Sequence, residues 1–273
     1  MESFSADWLA LREPADHAAR AAALTAHAAE RLRARPGRRA VDLAAGSGSN
    51  VRYLLPRLPG VAHWTLVDHD AALLAQAWRL VTPLAREAGR AFDVRQGDLR
   101  ALDTLPLDGC GLVTASALLD LVSLDWLRAF AARCAGAGAD VLCTLSYDGR
   151  IACVPSDADD EHVRALVNRH QRTDKGFGPA LGPDAAGAAA DAFAAAGFAV
   201  HTAGSDWVLG SADAELQRQL LAGWAGAARE LAPADAARVD AWLARRLAQV
   251  DAGTSRITVG HVDLLALAPP PGA

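Results

Sequence analysis

From Val41 to Asn50 the chain reads Val-Asp-Leu-Ala-Ala-Gly-Ser-Gly-Ser-Asn, an apolar run carrying Asp42 that enters a turn with glycines at 46 and 48. Glycine at such a turn lets the backbone fold tightly and approach a ligand with no Cβ in the way. A strand, a glycine-rich turn and a helix in that order bind nucleotide-like cofactors at the carboxyl edge of a parallel sheet. A second apolar run, Trp64 to Val67, ends in Asp68-His69-Asp70. At that interval a carboxylate lies beside a ribose and can accept both hydroxyl hydrogens. A third run begins at Phe92 and ends in Gly97-Asp98-Leu99. A dinucleotide fingerprint would need a small residue where Val51 stands, and it has no place for Asp42. Nothing downstream supplies a hydride-transfer site, so a nicotinamide dehydrogenase is disfavoured.

In this order and at these intervals the three segments resemble the class I S-adenosylmethionine-dependent methyltransferases. The family's first motif, hydrophobic-Asp-x-Gly-x-Gly-x-Gly, is matched at Asp42, Gly46 and Gly48, with Ala44 where the family has its first glycine. The resemblance covers residues 38 to 150 well and the closing strands more weakly. It implies a doubly wound α/β fold with a mostly parallel seven-stranded sheet that closes in an antiparallel hairpin. It also implies S-adenosyl-L-methionine as cofactor. The loop residues Ala44, Gly46, Gly48 and Asn50 are then expected at its methionine portion, with Asp42 anchoring the amino group. Asp68 takes the ribose, while His69 or Asp70 edges the adenine. Asp98 accepts from the adenine amino group, and the Leu99 amide donates to a ring nitrogen. Ser116, ending the fourth strand, completes the cofactor set. Without the family context Asp42 reads equally as a loop-capping carboxylate, and Asp68 and Asp98 as turn residues after strands.

The acceptor side is less specific. Methyltransferases of exocyclic base amines carry Asn/Asp-Pro-Pro-Tyr/Phe after the fourth strand, and this chain has Ser116-Ala117-Leu118-Leu119. Ser116 with Ser146-Tyr147-Asp148 is a poor oxygen set for a divalent cation, so no metal is expected. Candidates for a general base are His170, Tyr147 and Asp148, a histidine being able to take a hydroxyl proton near neutral pH. His170 reads equally as a solvated helix-end residue. Arg12, Asp120 and Arg172 are candidates for acceptor binding. Trp8, Arg12, Glu13, Asp16 and Arg20 share one helical side and form either a lid or a salt-linked surface. The segment 174–183, rich in glycine and proline, reads as a cover over a site. Arg169, Arg172 and Lys175 beside it suit an anionic acceptor. The other histidines (17, 27, 63, 162, 201 and 261) lack metal-ligand spacing and receive no role.

Hydrophobic periodicity places these groups on elements. One alanine-rich helix is expected over 14–35, opened by Pro14 and stopped by Pro36-Gly37. Strands are expected near 39–44, 63–68, 91–95, 110–115 and 139–145, with helices between them at 70–88 and 123–135. That alternation implies a parallel sheet covered on both faces. Later strands fall near 198–202 and 256–267. Two insertions form a cap: 149–183, with a helix around 158–171, and 211–252, two helices broken near Pro233. The whole reads as one domain, with 1–37 as an N-terminal helical lid and 38–148 as the cofactor-binding core. The tryptophans at 224 and 242 read as packing between the cap helices.

Composition limits the partners. A net charge of −5 argues against a general nucleic-acid binder, although Arg31, Arg33, Arg35, Arg38 and Arg39 cluster at a helix end. The four cysteines, at 110, 134, 143 and 153, have no paired ligand spacing and read as buried thiols in a reducing compartment. No apolar run suits a bilayer and no leader is evident, so a cytoplasmic location is the expectation. A small-molecule acceptor, O- or N-methylated, fits best. A protein side chain or RNA as acceptor, or a non-catalytic scaffold that binds the cofactor, are the alternatives. The oligomeric state is not legible.

Overall fold

The computed structural model describes residues 5–34 and 39–269. Arg35 to Arg38, with the expected helix stop at Pro36-Gly37, and most of the Pro-Pro-Pro tail lie outside the described residues. Two helices, α1 (Ala6–Ala19) and α2 (Ala22–Arg33), precede the sheet. The core then alternates β1 (Arg39–Leu43), α3 (Ser49–Leu54), β2 (His63–Asp68), α4 (Ala71–Glu87), β3 (Ala91–Gln96), β4 (Leu112–Ser116), α5 (Leu124–Ala137) and β5 (Asp140–Val154). It continues through α6 (Asp160–His170), α7 (Ala185–Ala195), β6 (Ala199–Gly204), β7 (Trp207–Leu209), α8 (Ala214–Leu231), α9 (Ala236–Asp251) and β8 (Arg256–Leu267).

The strands form one sheet in the order β3-β2-β1-β4-β5-β8-β6, with β7 also pairing with β8. The first five strands are parallel, and β8 runs antiparallel to β5, β6 and β7. β7 is a short addition to the expected seven. The order reverses between β1 and β4, and such a switch point opens a crevice at the carboxyl ends of the strands. Register aligns those ends, with Leu43 beside Val67 on one side and Ala115 on the other. The segments that follow β1, β2 and β4 therefore emerge at one edge.

Two apolar layers cover the sheet. α4 shows why its sequence is helical: Asp70 caps it by accepting from the Ala72 and Leu73 amides, and Leu73, Ala77, Val81 and Ala85 form one buried stripe. With α2 and α3 it packs around Trp64, Leu54 and Leu66. On the other face α5 and α7 bury Trp126, Phe130 and Phe193. The cap has its own core, where Trp224 and Trp242 pack with Val163, Leu216 and Val239 as expected. Asp157, Asp159 and Asp160 at the start of α6 receive Arg238, Arg245 and Arg246 of α9. Arg246 is wholly buried, and Trp242 donates to the same Asp160 carboxylate at 2.9 Å.

Two expectations need correction. The helix over 14–35 is two helices, and Pro14 lies inside α1 rather than at its start. The chain turns at Arg20-Ala21 because Arg20 is drawn inward and the Ala21 amide donates to Asp263 Oδ2 at 2.9 Å. The fifth strand does not stop near 145 but runs to Val154, so the first residues of the expected insertion belong to the sheet. Its pairing with β8 shifts register twice, once across Leu145, whose φ is +56°. The Leu145 amide there donates to Asp263 Oδ1 at 2.8 Å. At the second shift a Cβ on Gly260 would run into the Asp148 carboxyl and lie 2.7 Å from the Arg150 Cβ, which favours glycine there.

Asp263 thus satisfies two interruptions of regular structure and neighbours the Arg20 guanidinium at 3.8 Å, both side chains being about 1% exposed. Removing one partner of such a buried set leaves a charge and two amides without partners. Asp263→Ala is expected to lower unfolding stability by about 3–5 kcal/mol in urea denaturation; a loss below about 1 kcal/mol would deny the carboxylate this role.

Candidate functional site

The crevice holds a cavity of about 490 Å³. Its floor is the loop from Ala44 to Asn50, one side is Asp68, His69 and Leu73, and the opposite side is Ser116 to Leu118 with Leu121. α1 walls it through Leu9, Arg12, Asp16, His17 and Arg20. The cap closes it through His170, residues 173–176 and Glu230.

Local conformation explains the loop. Ala44, Gly46 and Gly48 all have positive φ, at +51°, +50° and +82°. Ala44 is therefore in the left-handed region that costs an L-residue about 1–2 kcal/mol, which accounts for glycine at that place in the family motif. Gly48 is needed for packing, since a Cβ there would lie 2.9 Å from the Val81 side chain on α4. The Gly46 amide donates to Asp68 Oδ2 at 2.8 Å, so the second acid fixes the loop that the first strand begins. Asp68 Oδ1 accepts from the Asp70 amide at 2.9 Å and stands 3.1 Å from His69 Nδ1.

Asp42 lies behind this floor, fully buried. Its Oδ1 accepts from Asn50 Nδ2 and from Thr114 Oγ1, both at 2.6 Å, while Oδ2 finds no hydrogen-bond partner. Burial raises its pKa to about 6 against the lowering effect of those two donors and Arg20. Asn50 Oδ1 in turn accepts from Arg20 Nη1 at 2.8 Å.

Among the expected cofactor residues, Ala44, Gly46, Asn50, Asp68, His69 and Ser116 line the cavity. Asp42 and Gly48 support the loop from beneath. Asp98 and Leu99 are elsewhere: Arg100 engages the Asp98 carboxylate with four hydrogen bonds, three from its side chain and one from its amide, holding its pKa at about 2, and Leu99 is buried with its carbonyl accepting from Trp126 Nε1.

Of the expected base and acceptor groups, His170 and Arg12 line the cavity. Tyr147 does not: its hydroxyl donates to Asn168 at 2.6 Å inside the cap core. Asp148 pairs with Arg150, which also binds Asp206. Arg172 points away to Asp184 at 2.9 Å, so it does not join Lys175 at the cavity. Asp120 is buried next to the wall, and its Oδ1 has no partner. The cover segment does reach the site at residues 173–176. Phe177 pins it against Trp126, with ring centroids 5.5 Å apart, and the Leu181 amide donates to Val122.

The α1 cluster is salt-linked, and Arg12, Asp16 and Arg20 of it line the cavity. Arg12 pairs with Asp16 at 2.9 Å, Glu13 with Arg52, and Asp16 Oδ1 accepts from Trp207 Nε1 at 3.1 Å. Several lining groups had no signal in the sequence. His17, given no role, bonds the Ser49 carbonyl and hydroxyl at 3.1 Å. Glu230, 60 positions from His170, meets its Nε2 at 3.2 Å, and Lys175 Nζ lies 3.4 Å from Nδ1. Among the described residues no group of three or more His, Cys, Asp or Glu is placed to hold a metal ion, and no helix is long and apolar enough to cross a membrane.

Burial raises the Asp120 pKa from 3.8 to about 6, outweighing the attraction of Arg12. Between about pH 4 and 6 the unfolded carboxyl is then ionised while the folded one keeps its proton. Stability from this group is therefore lost as pH rises through that window, by about 3 kcal/mol at most. Asp120→Asn should gain on the parent protein by that order between pH 4 and pH 7 in denaturation curves; parallel pH profiles would contradict the assignment.

No protein-family model matches the sequence, and no curated protein does. Solved structures are similar in shape. The cyclopropane synthase MmaA2 from Mycobacterium tuberculosis is 13% identical, with 96% of this chain and 94% of that chain covered at a TM-score of 0.52. The YcgJ protein from Bacillus subtilis is 15% identical, covering 91% and 99% at a TM-score of 0.50. At such identities the likeness is one of fold. The chain has the Rossmann-like fold of the class I S-adenosylmethionine-dependent methyltransferases.

Proposed function

We propose that this protein transfers the methyl group of S-adenosyl-L-methionine to a small-molecule acceptor at oxygen or nitrogen, without a metal. The observation that carries the reading is the junction of Gly46 and Asp68: a ribose-type carboxylate tied to a glycine loop at the floor of the cavity. Each Asp68 oxygen accepts one backbone hydrogen and keeps lone pairs for hydroxyl donors. The volume is of the size that holds a ligand of several hundred daltons. The lining therefore suits the ribose portion, with Ala44, Gly46 and Asn50 next to it for the amino-acid portion. For the adenine, His69 and Leu73 supply the wall, and Asp98 would first have to release Arg100.

The cofactor supplies an activated methyl group, and the displacement is in line. The chain's own task is to hold the acceptor in line and exclude water. α1 and the 173–176 segment enclose the cavity. His170 is our candidate for the group that takes the acceptor proton. With Nε2–H donating to Glu230, Nδ1 is the basic nitrogen; it faces Lys175 Nζ at 3.4 Å, a contact the acceptor has to displace, and Glu230 stabilises the cation that forms. A small acceptor is supported by the cap, whose His170, Lys175 and Glu230 wall the cavity over the sheet edge.

Calorimetric titration with S-adenosylmethionine, S-adenosylhomocysteine and NADH tests the cofactor. Binding of the first two, weakened about 10–150-fold in Asp68→Asn, is expected from the loss of charge-assisted bonds. Binding of NADH alone would refute the proposal. Once a metabolite screen finds an acceptor, His170→Gln should lower kcat about 10²–10⁴-fold with cofactor affinity unchanged. An undiminished kcat would remove His170 from the chemistry.

A further inference from the structure

Arg20 is the one described residue that both lines the cavity and carries buried side-chain nitrogens with no hydrogen-bond partner. Its guanidinium is fixed on three sides. Nη1 donates to Asn50, the plane lies over the Tyr53 ring at 4.5 Å, and Asp263 attracts Nε from 3.8 Å, beyond hydrogen-bond reach. Nε and Nη2 remain unpaired. Burial lowers the pKa of this guanidinium, yet an arginine stays charged in proteins. Unmet N–H groups on a buried cation are costly, and each such group in a native site calls for a partner.

A second unmet charge lies one amide away. Asn50 accepts from Arg20 with Oδ1 and donates to Asp42 with Nδ2, so its orientation is set by the two ions it joins. Asp42 Oδ2, like Arg20 Nη2, has no partner, but Asp42 stands behind the floor and does not line the cavity, so Arg20 is the unmet charge that the cavity presents. A carboxylate, with a single negative charge, matches that guanidinium. A phosphate, with more than one, would be repelled by Asp42 and Asp263.

Resting on the cofactor reading above, we propose that Arg20 anchors the terminal carboxylate of S-adenosylmethionine, with Asn50 beside it and Asp42 holding Asn50 from behind the floor. The residue comes from the break between α1 and α2, outside the glycine loop and its neighbouring strands. Ligand entry then couples to the end of α1, because the guanidinium that meets the carboxylate stands 3.8 Å from Asp263, whose carboxylate accepts from the Ala21 amide at the turn.

The test compares ligands as well as variants. Calorimetry on the full chain would use S-adenosylmethionine, its decarboxylated counterpart, S-adenosylhomocysteine and 5′-methylthioadenosine, which lacks the amino-acid arm. The unaltered protein should bind S-adenosylmethionine at least about tenfold more tightly than the decarboxylated form. Arg20→Gln should weaken S-adenosylhomocysteine at least about tenfold and leave methylthioadenosine within twofold. Equal affinity of the unaltered protein for S-adenosylmethionine and its decarboxylated form would overturn the assignment of Arg20 while leaving the cofactor reading intact. This comparison needs no variant, so it stands even if Arg20→Gln fails to fold. No binding of any of the four would overturn both.

Discussion

The buried carboxylate of Asp263 is the interaction on which the arrangement of the site depends. It sits on β8, in the antiparallel hairpin that closes the sheet, and accepts from two amides that regular structure leaves unsatisfied. One belongs to the break between α1 and α2, 242 positions earlier, and the other to the kink of β5, 118 positions earlier. The first lets α1 fold back over the crevice. The second lets β5 leave the parallel register and continue into the cap. Because a buried amide without a partner is costly, both departures from regularity are fixed by one side chain.

Around that anchor the cavity is polar in an ordered way. The α1 face over the site carries Arg12, Asp16, His17 and Arg20, each bonded to a group on the core or on its own helix. Of α1 itself only Asp16 is fully buried. The other side of α1 is apolar: Trp8, Leu11, Ala15 and Ala19 pack against the core that holds Trp224 and Trp242. α1 is therefore joined to the cap by apolar packing, and the α6–α9 ion pairs tie the cap helices to one another.

The glycine loop shows how backbone conformation turns into chemistry. Three positive φ values within five residues bring the Gly46 amide to Asp68 and leave α3 packed on α4 through Gly48. Ala44 accepts strain at the place where glycine would have none. Asn50 then joins Arg20 at the cavity wall to Asp42 buried behind the floor.

What the residues alone determined follows from local periodicity and spacing. The strands at 63–68 and 256–267, the α4 stripe, the break near Pro233 and the glycine turn were legible because each is set by neighbours a few positions away. So were the site residues attached to strand ends, Asp68 and Ser116, since strand alternation and a parallel sheet bring those ends to one edge. The tertiary structure alone decided the rest. The turn at Arg20 depends on Asp263, the pairing of His170 depends on Glu230, and the turning away of Arg172 depends on Asp184. His17 and Asp120 acquired their places in the same manner, through packing of α1 and the wall beside β4. A charged side chain's role is set by which opposite charge is near it in space and by how much water is excluded, and neither quantity is a property of sequence distance.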